Sequence, residues 1–318
     1  MEYIVSVVLV TYNQKDYIRQ SIESVLAQKT KYLYEVIIGD DCSSDGTREI
    51  CLKYAMQHKN IKVVERLQNL GVAGNWADCV KRARGKYVMM LDGDDYWHNP
   101  NKIQLQVDFM EQHPECVICH TDIDTLYLKT GIITKNDKQT AGVSVPQGYI
   151  QRDVLSGREK MNSSTMCLRT DALLKYIPFD KYVELNFPYE DWPTIVILSA
   201  YGEIRYLPVS TATYRQGQIS ITNTVDYDKI IQRYKDLKRM TEFLYSLFPN
   251  LGPFTDGPYF DTFVYHALLN AAYENNDYES AKVFAQNDPT HGWASKMART
   301  KLSFKLFRFY RNKIKHGH

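Results

Sequence analysis

Three carboxylates lie within four residues directly after an apolar segment, and this cluster has the clearest chemical potential in the sequence. Residues 86–91 predict a buried strand, and Asp92, Asp94 and Asp95 follow it. Crowded carboxylates repel one another unless a cation relieves the repulsion, and their hard oxygen atoms favour Mg²⁺ or Mn²⁺. Taken alone, such a cluster is more often an acidic turn in water. Its position after a buried strand favours a divalent-metal site that also binds substrate phosphates.

A second acidic pair, Glu190 and Asp191, stands just before Pro193. Proline is well suited to the first turn of a helix, and residues 191–200 predict one. The simpler interpretation is that the pair caps this helix, where negative charge is favourable. The functional interpretation is that a carboxylate here acts as a general base at the mouth of a crevice.

A third polar segment, residues 40–46, reads DDCSSDG and follows another predicted strand. Its spacing matches the first half of a calcium-binding loop, but Leu52 stands where that loop needs glutamate, and no helix precedes it. We therefore expect Asp45 to cap the next helix. Asp41 would then face the crevice at the strand end, where a carboxylate can accept a hydrogen bond from a nucleobase N–H.

The elements that place these groups alternate between strand and helix in the first half of the chain. Strands are predicted over residues 3–10, 34–38, 61–64 and 86–91, and helices over residues 16–28, 47–57 and 74–84, the last closed by Gly85. Strands separated by helices indicate parallel units, which bind ligands beyond the carboxyl ends of the strands. Tyr12, Asp41 and residues 92–95 all lie at such ends.

The pattern after residue 116 is mixed and then becomes helical. Short strands are predicted over residues 117–120, 166–169 and 204–208, and helices over residues 226–248, 260–273 and 278–286. The predicted class is therefore α/β, with helices on a mostly parallel sheet and a helical extension at the carboxyl end.

Five short motifs occur in an order and spacing that resemble one family. They are VLVTYN at 8–13, DDCSSDGT at 40–47, the residues Asn69, Gly71 and Asn75 with Ala83-Arg84-Gly85, DGDD at 92–95, and Glu190-Asp191. Over roughly residues 3–220 the chain resembles bacterial family two glycosyltransferases, which have the Rossmann-like GT-A fold. The resemblance implies an inverting, metal-dependent enzyme that transfers a sugar from a nucleotide-sugar, with UDP favoured. It also implies a glycan or lipid-linked acceptor and a role in bacterial surface polysaccharide synthesis.

Residue by residue, the resemblance implies a nucleotide site at the ends of the first two strands. Thr11, Tyr12 and Asn13 would form the first binding motif, with the Tyr12 ring packed on the nucleobase. Asp41 would accept the uracil N3–H, and Asn75 would make a further contact to the donor.

The same resemblance implies roles for both acidic clusters. Asp92 would approach the ribose, and Asp94, together with Asp92 and Asp95, would hold Mn²⁺ or Mg²⁺ on the diphosphate. Asp191 would be the catalytic base and Glu190 would support it. Such general-base help is worth about 10²–10⁴-fold in rate.

Two departures from the family pattern concern the phosphate side. Gly74 stands where relatives often have arginine, and no histidine follows the pair Tyr214-Arg215. Arg215 either approaches the phosphates or is an ordinary surface or core-edge arginine. Residues 162–166 stand where relatives line the acceptor side of the cleft.

Other function classes fit the sequence less well. A sugar nucleotidylyltransferase normally needs a glycine-rich basic loop after the first strand, and a dinucleotide dehydrogenase needs a G-x-G-x-x-G motif. Residues 11–14 read TYNQ, and no such glycine motif occurs. A catalytically inactive scaffold that binds nucleotide or carbohydrate is the non-enzyme alternative, although every acidic position expected for catalysis is present.

The charge of the chain is unevenly distributed. The net charge is +2, yet residues 296–318 carry eight basic groups and no acidic one. A nucleic-acid-binding protein would spread positive charge over its fold, so that class is disfavoured. We predict a glycosyltransferase domain over residues 1–222, a helical region over 223–290 and a basic amphipathic tail over 291–318.

The residue spacing of the tail predicts a helix. Its basic side would carry Lys301, Lys305, Arg308 and Lys315, with apolar residues opposite. It would either contact an anionic membrane surface or pack on the body of the protein. No membrane-spanning run or signal peptide is predicted. We therefore expect a cytoplasmic protein that is peripheral on the inner face of the membrane.

Overall fold

The computed structural model describes residues 3–156, 161–217, 224–251, 258–288 and 291–316. The chain divides into two compact units, Met1–Gln216 and Gly217–His318. The predicted boundaries after residues 222 and 290 lie among residues outside these ranges, so they stay predictions.

The first unit is built on one mixed sheet that has nine strands in the described ranges. They are β1 (Val5–Thr11), β2 (Tyr34–Asp40), β3 (Ile61–Glu65), β4 (Tyr87–Asp92), β5 (Tyr96–Trp97), β6 (Cys116–Tyr127), β7 (Ile132–Thr134), β8 (Cys167–Arg169) and β9 (Glu203–Gln216). The order is β3-β2-β1-β4-β8-β6-β9-β5, with β7 paired to β6. The first four are mutually parallel, and β8 runs antiparallel between β4 and β6.

Helices flank this sheet. They are α1 (Lys15–Leu26), α2 (Thr47–Gln57), α3 (Gly71–Lys81), α4 (Lys102–Gln112), α5 (Asp137–Thr140), α6 (Gln151–Leu155), α7 (Thr170–Tyr176), α8 (Phe179–Glu184) and α9 (Asp191–Leu198). A 3-10 turn spans Ser163–Thr165. Side chains from β1 and β4, such as Leu9 and Met89, pack against Ile22 of α1 and Val107 of α4 in the main core. The predicted fold class is confirmed.

Three local predictions need correction. Helix α3 begins at Gly71, three residues before the predicted start, and ends at Lys81. Gly85 therefore does not close it; instead Gly85 lies against β1, where an added Cβ atom would be 2.5 Å from the Ser6 nitrogen. Strands β6 and β9 are much longer than predicted because they pair with each other along most of their length.

The second unit is helical, as predicted. Its helices are α10 (Tyr227–Leu247), α11 (Pro258–Glu274), α12 (Tyr278–Asn287), α13 (Trp293–Met297) and α14 (Lys301–His316), and a 3-10 turn spans Pro249–Leu251. Phe304 of α14 is buried and stacks on Tyr273 of α11, with ring centroids 4.7 Å apart. Within the described ranges, no helix is long and apolar enough to cross a membrane.

Helix α14 contacts its own unit through its basic side as well as through Phe304. Arg308, predicted on the basic side of this helix, donates from Nε to the Tyr273 carbonyl at 2.9 Å. Arg311 likewise donates to the Asn270 side chain at 2.6 Å. Two of the basic residues of the tail therefore hold the helix on its own unit.

Candidate active site

Parallel pairing brings the predicted site segments to one edge of the sheet. Thr11 pairs with Asp40 in the register of β1 and β2, and Val10 pairs with Asp92 in the register of β1 and β4. The carboxyl ends of three strands therefore lie side by side, so the segments that follow them share one crevice.

The segment after β1 is tied to the segment after β2. Asn13 has a positive φ of 52°, its amide N–H donates to Ser43 Oγ at 2.9 Å, and its side-chain oxygen accepts from the Ser44 N–H at 2.9 Å. Thr11 is buried and donates to Gln14. Tyr12 is half exposed. A tyrosine ring held on a fixed loop offers a flat surface to a nucleobase.

Asp41 lies at the end of β2 and is almost fully buried. Its Oδ1 accepts the Leu70 N–H at 2.8 Å, and its own carbonyl accepts from the Asn69 side chain at 3.1 Å. Burial raises the pKa of the Asp41 carboxyl, and the Leu70 N–H opposes that rise. Asp41 therefore holds the backbone in place at the start of α3.

Asn75, predicted as a donor contact, is also buried. Its side-chain nitrogen donates to the Gly39 carbonyl at 2.8 Å, and its side-chain oxygen accepts from Arg66 at 3.2 Å. These bonds give Asn75 protein partners on both sides, so it supports the end of β2 from within the fold.

The acidic segment after β4 is held by hydroxyl groups from the Ser163–Thr165 turn. Ser163 donates to Asp92, and Ser164 donates to Asp95 Oδ2 at 3.0 Å. Gly93 leaves no space for a side chain, because an added Cβ would lie 2.8 Å from the Thr11 Cβ. Close contacts therefore require glycine at this position.

Crowding shifts the acidity of these carboxyls. Burial, followed by the charges of Asp94 and Asp191, raises the pKa of Asp92 to about 7. Burial, followed by the charges of Asp94 and Asp92, raises the pKa of Asp95 well above its usual range. A bound cation would relieve this repulsion.

Arg215 lies behind the acidic segment and is almost fully buried. Its guanidinium sits between the rings of Tyr17 and Tyr96, 5.1 and 4.7 Å from their centroids. It donates to the Asp94 carbonyl, and its backbone N–H donates to Asp95 Oδ1 at 3.1 Å. Arg215 is therefore a core-edge arginine that binds the backbone of the acidic segment.

The second acidic pair begins helix α9, as predicted. Glu190 is buried, and burial, followed by the charges of Asp191 and Asp92, raises its pKa well above the usual range. Asp191 is partly exposed and its Oδ1 accepts the Trp192 N–H at 2.7 Å; burial raises its pKa also. The charge of Asp191 raises the pKa of Asp92, and the charge of Asp92 raises the pKa of Glu190, so the two acidic clusters lie near each other.

The carboxylate oxygens of the acidic segment suit a divalent metal that also binds substrate. Among the described residues, no three histidine, cysteine or acidic side chains are arranged as a protein-only metal cage. Mg²⁺ and Mn²⁺ commonly take one or two carboxylates and complete their shell with phosphates and waters. Asp92 and Asp94 could supply such oxygens, and both oxygens of Asp95 accept hydrogen bonds from the protein.

Sequence reasoning missed several residues around this site. Trp97 donates from Nε1 to the Ser164 carbonyl at 3.0 Å, and Lys102 and Gln106 of α4 bind the Thr165 carbonyl. Residues 162–166 were predicted only to line the acceptor side. Nothing local in the sequence identified them, since their partners lie roughly sixty to seventy positions away.

The fold is that of GT-A glycosyltransferases. The structure of Staphylococcus aureus TarS residues 1–349 with UDP-GlcNAc superposes with a TM-score of 0.54 and 18% identity, over 99% of this chain and 92% of that one. At that identity the likeness establishes the fold alone.

The sequence comparison gives the family. The model for glycosyl transferase family 2 matches residues 6–177, and the chain belongs to that family. An uncharacterised Mycobacterium tuberculosis protein, Rv1520, is 31% identical over 225 residues, which is 70% of this chain and 62% of that protein. The chain thus spans about 62% of the length of that relative.

A second relative has a named activity. The Escherichia coli protein WfaP, a UDP-Glc:alpha-D-GlcNAc-diphosphoundecaprenol beta-1,3-glucosyltransferase, is 39% identical over 108 residues, covering 34% of this chain and 41% of WfaP.

Proposed function

We propose that this protein is an inverting, metal-dependent glycosyltransferase that moves a sugar from a UDP-sugar to a hydroxyl of a glycan or lipid-linked acceptor, in bacterial surface polysaccharide synthesis. The observation that carries the proposal is the proximity of two acidic clusters, Asp92–Asp95 at the end of β4 and Glu190-Asp191 at the start of α9. Family membership supports the reaction class. UDP-GlcNAc in TarS and UDP-Glc in the name of WfaP support the donor class.

The nucleotide occupies the edge formed by β1 and β2 in this proposal. Tyr12 packs its half-exposed ring on the base, and Asp41 accepts the N3–H of uracil. Asp92 reaches the ribose from the end of β4. The hydrogen bonds that join Asn13 to Ser43 and Ser44 keep the two loops in register while the base binds.

Asp94 and Asp92 would hold Mn²⁺ or Mg²⁺, which would neutralise the leaving diphosphate. Arg215 fixes the backbone of Asp94 from behind, so the carboxylates are oriented before the donor arrives. Gly93 lets this segment lie directly on Thr11 and Gln14.

Asp191 takes the proton from the acceptor hydroxyl. Asp191 is the first residue of α9, and the Trp192 N–H donates to its carboxylate and orients it. Attack from the side opposite the diphosphate forms the new glycosidic bond as the bond to the leaving group breaks, which inverts the anomeric centre. Glu190 lies behind Asp191 and supports it.

Calorimetric titration tests the donor assignment. Purified protein is titrated with UDP, GDP and dTDP, each with Mn²⁺ and then with EDTA. We expect UDP to bind in a metal-dependent manner and more tightly than the other two. Folded protein that binds no nucleotide would overturn the proposal and favour either the inactive scaffold or an enzyme that uses a lipid-phosphate donor. Tighter binding of GDP or dTDP would overturn the UDP assignment alone.

The carboxyl-terminal helix supports a membrane partner, which we include in the proposal. Leu302, Leu306, Phe309 and Tyr310 share one face of α14, and each is at least 58% exposed. Lys301 and Lys305 flank this face, and Trp293 of α13 is also exposed. An exposed apolar face with basic flanks and aromatic residues fits the surface of an anionic bilayer. The protein would then be peripheral on the inner face of the cytoplasmic membrane.

We expect the double variant Leu306→Glu and Phe309→Glu to lose vesicle binding. Each large apolar side chain contributes about 1.5 kcal/mol or more when buried, so loss of both should lower partitioning at least about 100-fold. Co-sedimentation with phosphatidylglycerol vesicles measures this, with phosphatidylcholine vesicles for comparison. Val283→Glu is the matched control, since Val283 is an exposed apolar residue of α12. Equal binding by the double variant, or no binding by the native protein, would contradict the membrane assignment.

A further inference from the structure

Lys102 is a fully buried lysine at the start of α4. Its Nζ donates to Gln106 Oε1 at 2.6 Å, to the Thr165 carbonyl at 3.0 Å and to Thr211 Oγ1 at 3.2 Å. No carboxylate forms an ion pair with it anywhere in the described ranges. Burial lowers the pKa of this ammonium group to about 7.

Stability does not explain why a lysine stands here. Taking a charge out of water costs several kcal/mol unless an opposite charge compensates, and an apolar residue of similar volume is often as stable or more so. The Nζ is 5.2 Å from the centroid of the Trp97 ring and lies in the core. The reason for a lysine at position 102 must therefore lie in the groups that its ammonium group binds.

Lys102 holds the Ser163–Thr165 turn from behind. The Thr165 carbonyl accepts from Lys102 and also from Gln106 Nε2 at 2.9 Å. The neighbouring Ser164 carbonyl accepts from Trp97 Nε1 at 3.0 Å. Two consecutive carbonyls of the turn are thus fixed by side chains from α4 and β5.

The same turn holds the acidic segment on its other side. Ser163 donates to Asp92, and Ser164 donates to Asp95 at 3.0 Å. A continuous path of hydrogen bonds runs from Lys102 through the turn to both carboxylates. Any shift of the turn would move the two hydroxyl groups and the carboxylates that they orient.

We infer that Lys102 is a positioning residue for transfer, which fixes the Ser163–Thr165 turn and thereby the orientation of Asp92 and Asp95. The inference rests on the proposed function, in which Asp92 belongs to the donor and metal site. Misplacement of a reacting group by about 1 Å can cost about 10²-fold in rate, so a small movement of the turn is enough.

The test compares Lys102→Met, Ser164→Ala and the double variant. We expect Lys102→Met to lower kcat by about 10- to 100-fold with little change in KM for the donor, while Tm stays within a few degrees of native. Mn²⁺ affinity in the presence of UDP, measured by the loss of the free-ion paramagnetic resonance signal, should fall several-fold. If both residues act through the turn, their effects on kcat will be strongly non-additive.

Val107→Ala is the matched control, because Val107 is a buried residue of the same helix within the main core. It should lower Tm with little effect on kcat. Native kcat in Lys102→Met, or additive effects in the double variant, would overturn the inference. A loss of kcat that merely follows a loss of Tm would overturn it too.

Hydrogen exchange separates this inference from the proposed function. Lys102→Met should speed amide exchange at residues 88–97 and 161–168, whatever reaction the protein catalyses. If the native protein transfers no sugar, the proposed function fails, and the exchange result alone decides the role of Lys102. Unchanged exchange in both segments would overturn that role.

Discussion

Asp191→Asn is expected to lower kcat by about 10³-fold while the affinity for the UDP-sugar changes less than about threefold. General-base help is worth about 10²–10⁴-fold, and an amide cannot accept the acceptor proton at neutral pH. Asparagine keeps an oxygen that can accept the Trp192 N–H, so the start of α9 is preserved. Steady-state transfer assays give kcat, and calorimetry gives donor affinity.

Glu190→Gln is the comparison for this experiment, since Glu190 is buried behind Asp191 and is not expected to accept the proton. Its kcat should fall by less than that of Asp191→Asn. Native turnover in Asp191→Asn would refute the assignment of the base. A larger loss in Glu190→Gln than in Asp191→Asn would exchange the two roles.

Asp94→Ala is expected to remove the metal dependence of nucleotide binding. A bound cation contributes several kcal/mol through the diphosphate, so UDP affinity with Mn²⁺ should fall about 100-fold. That affinity should then match the native protein in EDTA. Titration of UDP into both proteins, with and without Mn²⁺, measures the difference.

Asp108→Ala provides the control for charge alone. Asp108 is a partly exposed carboxylate of α4 that pairs with Lys31 at 3.1 Å, away from the strand ends. Its loss should leave UDP binding unchanged. If Asp94→Ala still binds UDP more tightly with Mn²⁺ than with EDTA, the metal is held by other groups.

The strands and the strand-end crevice could be predicted because their signals are local. A β-branched run such as the one that includes Val7 and Val8 is recognisable within a few residues. Asp92 and Asp41 follow such runs, so their position at the edge of a parallel sheet follows from general rules.

Other features depend on partners that are distant in sequence. Helix α3 starts early because Asp41 accepts the Leu70 N–H, a contact across 29 positions. Arg215 is fixed by the acidic segment, from which it is separated by about 120 positions. Helical periodicity grouped Arg308 with Lys301 and Lys305, whereas its guanidinium bonds the Tyr273 carbonyl, 35 positions away. No short window of sequence contains these pairs.

The cross-bonding of Asn13 to Ser43 and Ser44 has a thermodynamic consequence for ligand discrimination. In the proposed function, two loops that are fixed together lose little conformational entropy when a base binds against them. Discrimination among bases then depends on how well the shape and hydrogen-bonding groups of each base fit loops that are already in place. It does not depend on loops that rearrange for each ligand. Affinity differences among nucleotides should therefore be mainly enthalpic, with dissociation rates varying more than association rates.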